Sequence, residues 1–149
     1  MGILRRRKFY RYTELVRVLL RETRGTAVIE LAITLPLLIT MLFGIVAYGD
    51  WFFVAHSVQQ AANDAARATV AGLSAPERAI IAQDSVKTTL TRTGALDPTK
   101  ASVMINDDGT TLVVRLDYDA SGNPLLSLKL LPMPSTTITR SAAIRLGGL

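Results

Sequence analysis

The stretch "RETRGTAVIELAITLPLLITMLFGIVAYGDW", residues Arg21–Trp51, decides how this chain is built. Between Thr26 and Tyr48 the only charged residue is Glu30. About 20 apolar residues cross a hydrocarbon core roughly 30 Å thick, so the stretch predicts a single transmembrane helix. Glu30 is then a charge where lipid makes charge expensive, about 2.5 to 3.5 kcal/mol at the centre of a span on insertion scales.

Working back from the span, Arg5, Arg6, Arg7, Lys8, Arg11, Arg17, Arg21 and Arg24 stand against only Glu14 and Glu22. A basic flank before the span and Asp50 after it direct the N-terminus to the cytoplasm. The formal net charge of +5 belongs to this leader. A charge excess confined to a leader argues against a nucleic-acid-binding face, and "RRRK" (Arg5–Lys8) reads as topology information and lipid contact. A basic segment followed by an apolar one also outlines a secretory signal peptide, with "AYG" (Ala47–Gly49) as a possible cleavage site. The apolar segment is longer than the usual 7 to 15 residues of a signal peptide.

Beyond the span, "WFFVAHSVQQAANDAARATVAG" (Trp51–Gly72) keeps helical spacing. Val54, Val58, Ala61, Ala65 and Ala68 follow one another at steps of four and three. Such a narrow stripe of small residues suits close approach of another helix or a sheet. Gly72 is a C-terminal stop. The whole predicts one helix over Thr26–Ala71, close to 70 Å long at 1.5 Å per residue, of which about half can lie in lipid.

"SAPE" (Ser74–Glu77) is a capping box with proline in the first turn, and it starts a second helix. Ala79, Ala82, Val86 and Leu90 form its apolar stripe, and "TGALDP" (Thr93–Pro98) ends it, Gly94 being suited to a left-handed cap. From Ala101 the period becomes two. "ASVMIN" and "TLVVRLDYD" flank the turn sequence "NDDG" (Asn106–Gly109) and predict a hairpin. "STTITRSAAIRL" (Ser135–Leu146) is a third strand, rich in β-branched residues. The fold class is α+β: a long N-terminal helix, a second helix and a small antiparallel sheet. The domains are a leader (1–25), a transmembrane helix (26–49), its extramembrane extension (50–72) and an α+β module (73–149).

The motifs "RGTAVIELAITLPLL" and "LFGIVAYGDWFFVAHSVQQAANDAARATVAG" resemble the TadE-like family, membrane-anchored minor pilins or pseudopilins of the Tad pilus system. In that family a basic leader ends in Gly, Glu stands fifth after it, Leu-Pro interrupts the span and Ala-Ala-Arg closes an Ala-rich helix. Here these are Gly25, Glu30, Leu35-Pro36 and Ala65-Ala66-Arg67. Leu31 stands where members often carry an aromatic residue. The close resemblance covers residues 24–72.

The resemblance implies cleavage after Gly25 by a prepilin peptidase, exposing the amine of Thr26. Glu30 then lies four residues away, about 6 Å along the helix axis. In pilins generally this Glu neutralises the N-terminal amine of an adjacent subunit during assembly. The alternative is a Glu30 that snorkels to the headgroups near Arg24. Pro36 either kinks the helix for packing or is a tolerated proline relieved by the Thr34 or Thr40 hydroxyl. The implied partners are the peptidase, other pilins or pseudopilins, the inner-membrane platform of the machinery and the lipid bilayer. The implied location is the bacterial inner membrane with the C-terminal module outside the cytoplasm, and the implied function is pilus assembly and surface adherence.

Chemistry of its own is not expected of the chain, nor is a cofactor. There is no Cys, and His56 is the only histidine. Neighbouring Ser57 does not face it, since i,i+1 side chains on a helix diverge. "DYDASGN" matches the first half of a calcium loop through Asp117, Asp119 and Ser121, but the twelfth position is Leu128 rather than Glu, and a solvated turn is the plainer reading. "LLSLKLLPM" (Leu125–Met133) is too short to cross a bilayer. The rival functions are a small secreted domain released by signal peptidase and an uncleaved membrane-anchored binding subunit of an envelope complex.

Overall fold

The computed structural model describes residues 23–126 and 132–146, with backbone only at 23 and 24. The leader through residue 22 and Leu128 lie outside the described residues. Helix α1 (Thr23–Ala68) runs on into one 3-10 turn (Thr69–Ala71). The chain forms two compact units, residues 1–43 and residues 44–149.

In the first unit α1 presents its apolar side chains outward all round, Val28, Ile33 and Leu37 being among the most exposed. Such a helix has no interior of its own to bury them, and it satisfies length and composition for crossing a membrane. The helix is unbroken through Pro36. Proline lacks an N–H, so the carbonyl left without its helical donor is that of Ala32. Thr34 Oγ1 donates instead to the Glu30 carbonyl and Thr40 Oγ1 to the Pro36 carbonyl, each at 2.8 Å. Neither hydroxyl relieves the proline, because each reaches back one turn to its own i−4 carbonyl.

The second unit is the α+β module together with the last turns of α1. Helix α2 (Ala75–Thr93) begins at Ser74, whose hydroxyl accepts from the Glu77 N–H, and ends at Gly94 with φ of 70°. Only glycine takes that left-handed conformation without steric cost. A 3-10 turn (Pro98–Lys100) leads into β1 (Ala101–Asp107), β2 (Thr111–Asp119) and β3 (Thr137–Arg145). They form one antiparallel sheet in the order β1-β2-β3. The β1–β2 turn is held by carboxylates: Asp107 accepts from Gly109 N–H, and Asp108 accepts from Thr110 and Thr111 N–H.

Alternation in β2 turns Leu112, Val114, Leu116 and Tyr118 to the core, where all four are buried. The registers Val103↔Leu116 and Ile138↔Tyr118 bring the inner rows of β1 and β3 alongside them. Onto this face pack Val54 to Ala66 of α1 and Ala82, Val86 and Leu90 of α2. Ala79, placed by the sequence in the α2 stripe, is half-buried, and Thr89 is buried instead.

Candidate functional site

The residues singled out at the membrane end lie on the first turns of α1. Gly25 is helical, and a Cβ built on it would meet nothing within 4 Å. No contact within the described chain therefore asks for glycine there. Thr26 follows, and Glu30 stands one turn further on the apolar surface. Among the described residues the Glu30 carboxylate makes no ion pair, and Glu30 is exposed on the helix.

On the extension, Val58, Ala61 and Ala65 are fully buried, while Ala68 is only half-buried. The buried surface is broader than a single stripe. Ala55, Ala62 and Ala66 lie in it as well, and it continues at Thr69, whose hydroxyl donates to the Ala66 carbonyl at 2.6 Å. A helix covered by both a sheet and a second helix buries two adjacent rows rather than one, and alanine keeps both approaches close.

The same extension closes one edge of the sheet. Leu146 N–H donates to the Thr110 carbonyl and Ala120 N–H to that of Thr136, so the even residues of β3 face β2 and the odd ones face outward. Two odd carbonyls are met by α1: Trp51 Nε1 donates to Ser135 O at 3.2 Å and Gln59 Nε2 to Ser141 O at 3.1 Å. Tyr48 Oη donates to the Pro132 carbonyl, and the Arg140 guanidinium lies 5.9 Å from the Trp51 ring centroid. Asp50 accepts from Asn123 Nδ2 at 2.5 Å. Gln59 is thus half-buried at the β3 edge. Asn63 and Arg67 are exposed.

Polar side chains elsewhere serve the fold. Arg78 Nη2 lies 2.6 Å from Asp107 Oδ2, and its Nη1 donates to the Gly72 carbonyl. The Gly109 N–H, and after it Arg78, hold the Asp107 carboxyl below its ordinary range. In the segment that matches half of a calcium loop, Asp117 accepts from Thr139 Oγ1 at 2.5 Å and from Arg115, and Asp119 accepts from the Ser121 N–H. Both carboxyls are held low by these donors. They are committed to protein partners, and among the described residues no group of three or more carboxylate, thiol or imidazole side chains is placed to hold a metal. His56 is exposed.

A helix long and apolar enough to cross a membrane thus continues into a buried alanine-rich face that docks on a small α+β module. The family model described as "TadE-like protein" matches residues 25–67, which run from the candidate processing glycine to the end of the alanine-rich face. This stretch of the chain is similar to TadE-like proteins. No curated protein and no solved structure matches the chain.

Proposed function

We propose that the chain is a minor pilin or pseudopilin of a Tad-type pilus and secretion system, trimmed after Gly25 by a prepilin peptidase and used in pilus assembly and surface adherence. The observation that carries this reading is the TadE-like match beginning at Gly25 and enclosing Glu30. The open surroundings of Gly25 support it, because a glycine that the fold does not need is explained by an enzyme that must close around the chain.

In this reading α1 anchors the subunit in the inner membrane with the N-terminus in the cytoplasm and the α+β module outside it. Cleavage frees the Thr26 amine, and Glu30 neutralises the corresponding amine of an adjacent subunit as the two enter the assembly. A carboxylate that makes no ion pair among the described residues, on an apolar helix, gains most from such a partner, since a desolvated charge is costly alone and favourable when paired. The inner-membrane platform and the other pilins of the system are the remaining partners.

Intact mass of the mature chain tests the reading. A start at Thr26 is the expected result; a start near Asp50 would mean release by signal peptidase, and a start at Met1 an uncleaved anchor.

A further inference from the structure

The sequence places the end of the span at Gly49–Asp50, where the first charge after Glu30 appears. The side chains place it elsewhere. Asp50 is half-buried and its carboxylate is taken by Asn123, so it does not face the surroundings of the helix. Trp51, the residue most often invoked at a membrane boundary, is turned to the module by its hydrogen bond to Ser135 and its contact with Arg140. What α1 shows outward here is Ile45, Gly49, Phe52 and Phe53. Phe52 is 63% exposed and Phe53 47%, large values for aromatic rings beside a folded module. One turn later the outward residues become His56, Gln60 and Asn63. On a single helical face, polarity therefore changes between Phe53 and His56.

We infer that Phe52 and Phe53 are a lipid-contacting surface, seated in the interfacial layer of the leaflet at the C-terminal end of the span. The inference rests on the reading of α1 as a membrane anchor. The occupant follows from continuity: the two rings stand two turns after Ile45 and Val46, exposed apolar side chains on the same helical face. From Val28 to Phe53 the helix rises about 38 Å. That exceeds a hydrocarbon core of roughly 30 Å and fits within the roughly 40 to 45 Å that includes both interfacial layers, where aromatic rings concentrate.

The full chain has no cysteine, so single cysteines carrying an environment-sensitive fluorophore can be placed at will. Leu38→Cys, Phe53→Cys and Gln60→Cys would be reconstituted in phosphatidylcholine vesicles brominated either near the headgroup or deep in the acyl chain. The expected result is deep quenching at 38, shallow quenching at 53 and several-fold greater iodide accessibility at 60 than at 53. A label at 53 as open to iodide as that at 60, with 38 still quenched by lipid, would overturn the inference and leave the anchor standing. Iodide access at 38 would overturn the anchor and the inference together. A label on Gly49→Cys, where a side chain meets nothing, reads the same boundary with both phenylalanines intact. Replacing Phe52 and Phe53 by Ser should raise its iodide accessibility several-fold, and an unchanged value would count against their role.

Discussion

Arg78 is packed against the backbone at Gly72: a Cβ on residue 72 would stand 2.6 Å from Arg78 Cγ and 3.0 Å from its amide nitrogen. The glycine is extended, with φ of −80°, so space and not backbone conformation demands it. This close approach lets one guanidinium hold both the Gly72 carbonyl and the Asp107 carboxylate, joining the end of α1, the start of α2 and the end of β1.

Gly72→Ala is accordingly expected to destabilise the module by about 1 to 3 kcal/mol, the usual cost of overpacking when the neighbour is backbone and cannot yield. Thermal unfolding of the full chain in detergent checks this, with Gly49→Ala as the comparison. An unchanged melting temperature for Gly72→Ala would show that Arg78 moves aside freely.

Acid should loosen the module from the hairpin turn. The Asp107 carboxyl is held below its ordinary range by the Gly109 N–H and then by Arg78, and the Asp108 carboxyl by the Thr111 and Thr110 N–H groups. A depressed folded-state value contributes stability that is present above the unfolded value and lost as pH falls through the folded one. Melting temperature should therefore fall as pH drops from about 4 downward, and Asp107→Asn should lower it at neutral pH while flattening that acid limb. An acid limb equally steep in the variant would place the effect elsewhere.

The alanine face offers a packing test. Ala65 is fully buried between sheet and helices, and Asn63, two residues away, is exposed. Ala65→Leu is expected to cost about 1 to 3 kcal/mol through overpacking, with Asn63→Leu near neutral. Equal melting temperatures would mean that this face opens in solution and is used between subunits.

For the processing site, Gly25→Leu should leave the precursor at full length in cells that carry the peptidase, whereas Glu30→Ala should insert normally and fail to enter the pilus machinery. Mature-size product from the first, or full piliation with the second, would each remove the corresponding part of the proposal.

Trp51 is the only tryptophan, and its docking makes its fluorescence a local reporter. Arg140→Gln removes the cation above the ring and should change emission from Trp51 with little effect on helix content. Identical spectra would indicate that the contact does not persist.

Much of this architecture was legible because its signals are local. The apolar run of α1, the Ser74 cap, Gly94 and the "NDDG" turn each act through residues a few positions apart, and an α+β arrangement of long helix, second helix and antiparallel sheet follows from the change of period at Ala101. The tertiary structure decided whatever depends on partners far along the chain. Nothing local in the sequence joins Asp50 to Asn123, or Gln59 to the Ser141 carbonyl at the β3 edge. The alanine face is two rows wide because α2 and the sheet both press on α1, and Gly72 is required by Arg78 after the chain has turned. Periodicity records which side of an element is apolar; only the packed fold determines which polar group on its margin has found a partner and which faces lipid or water.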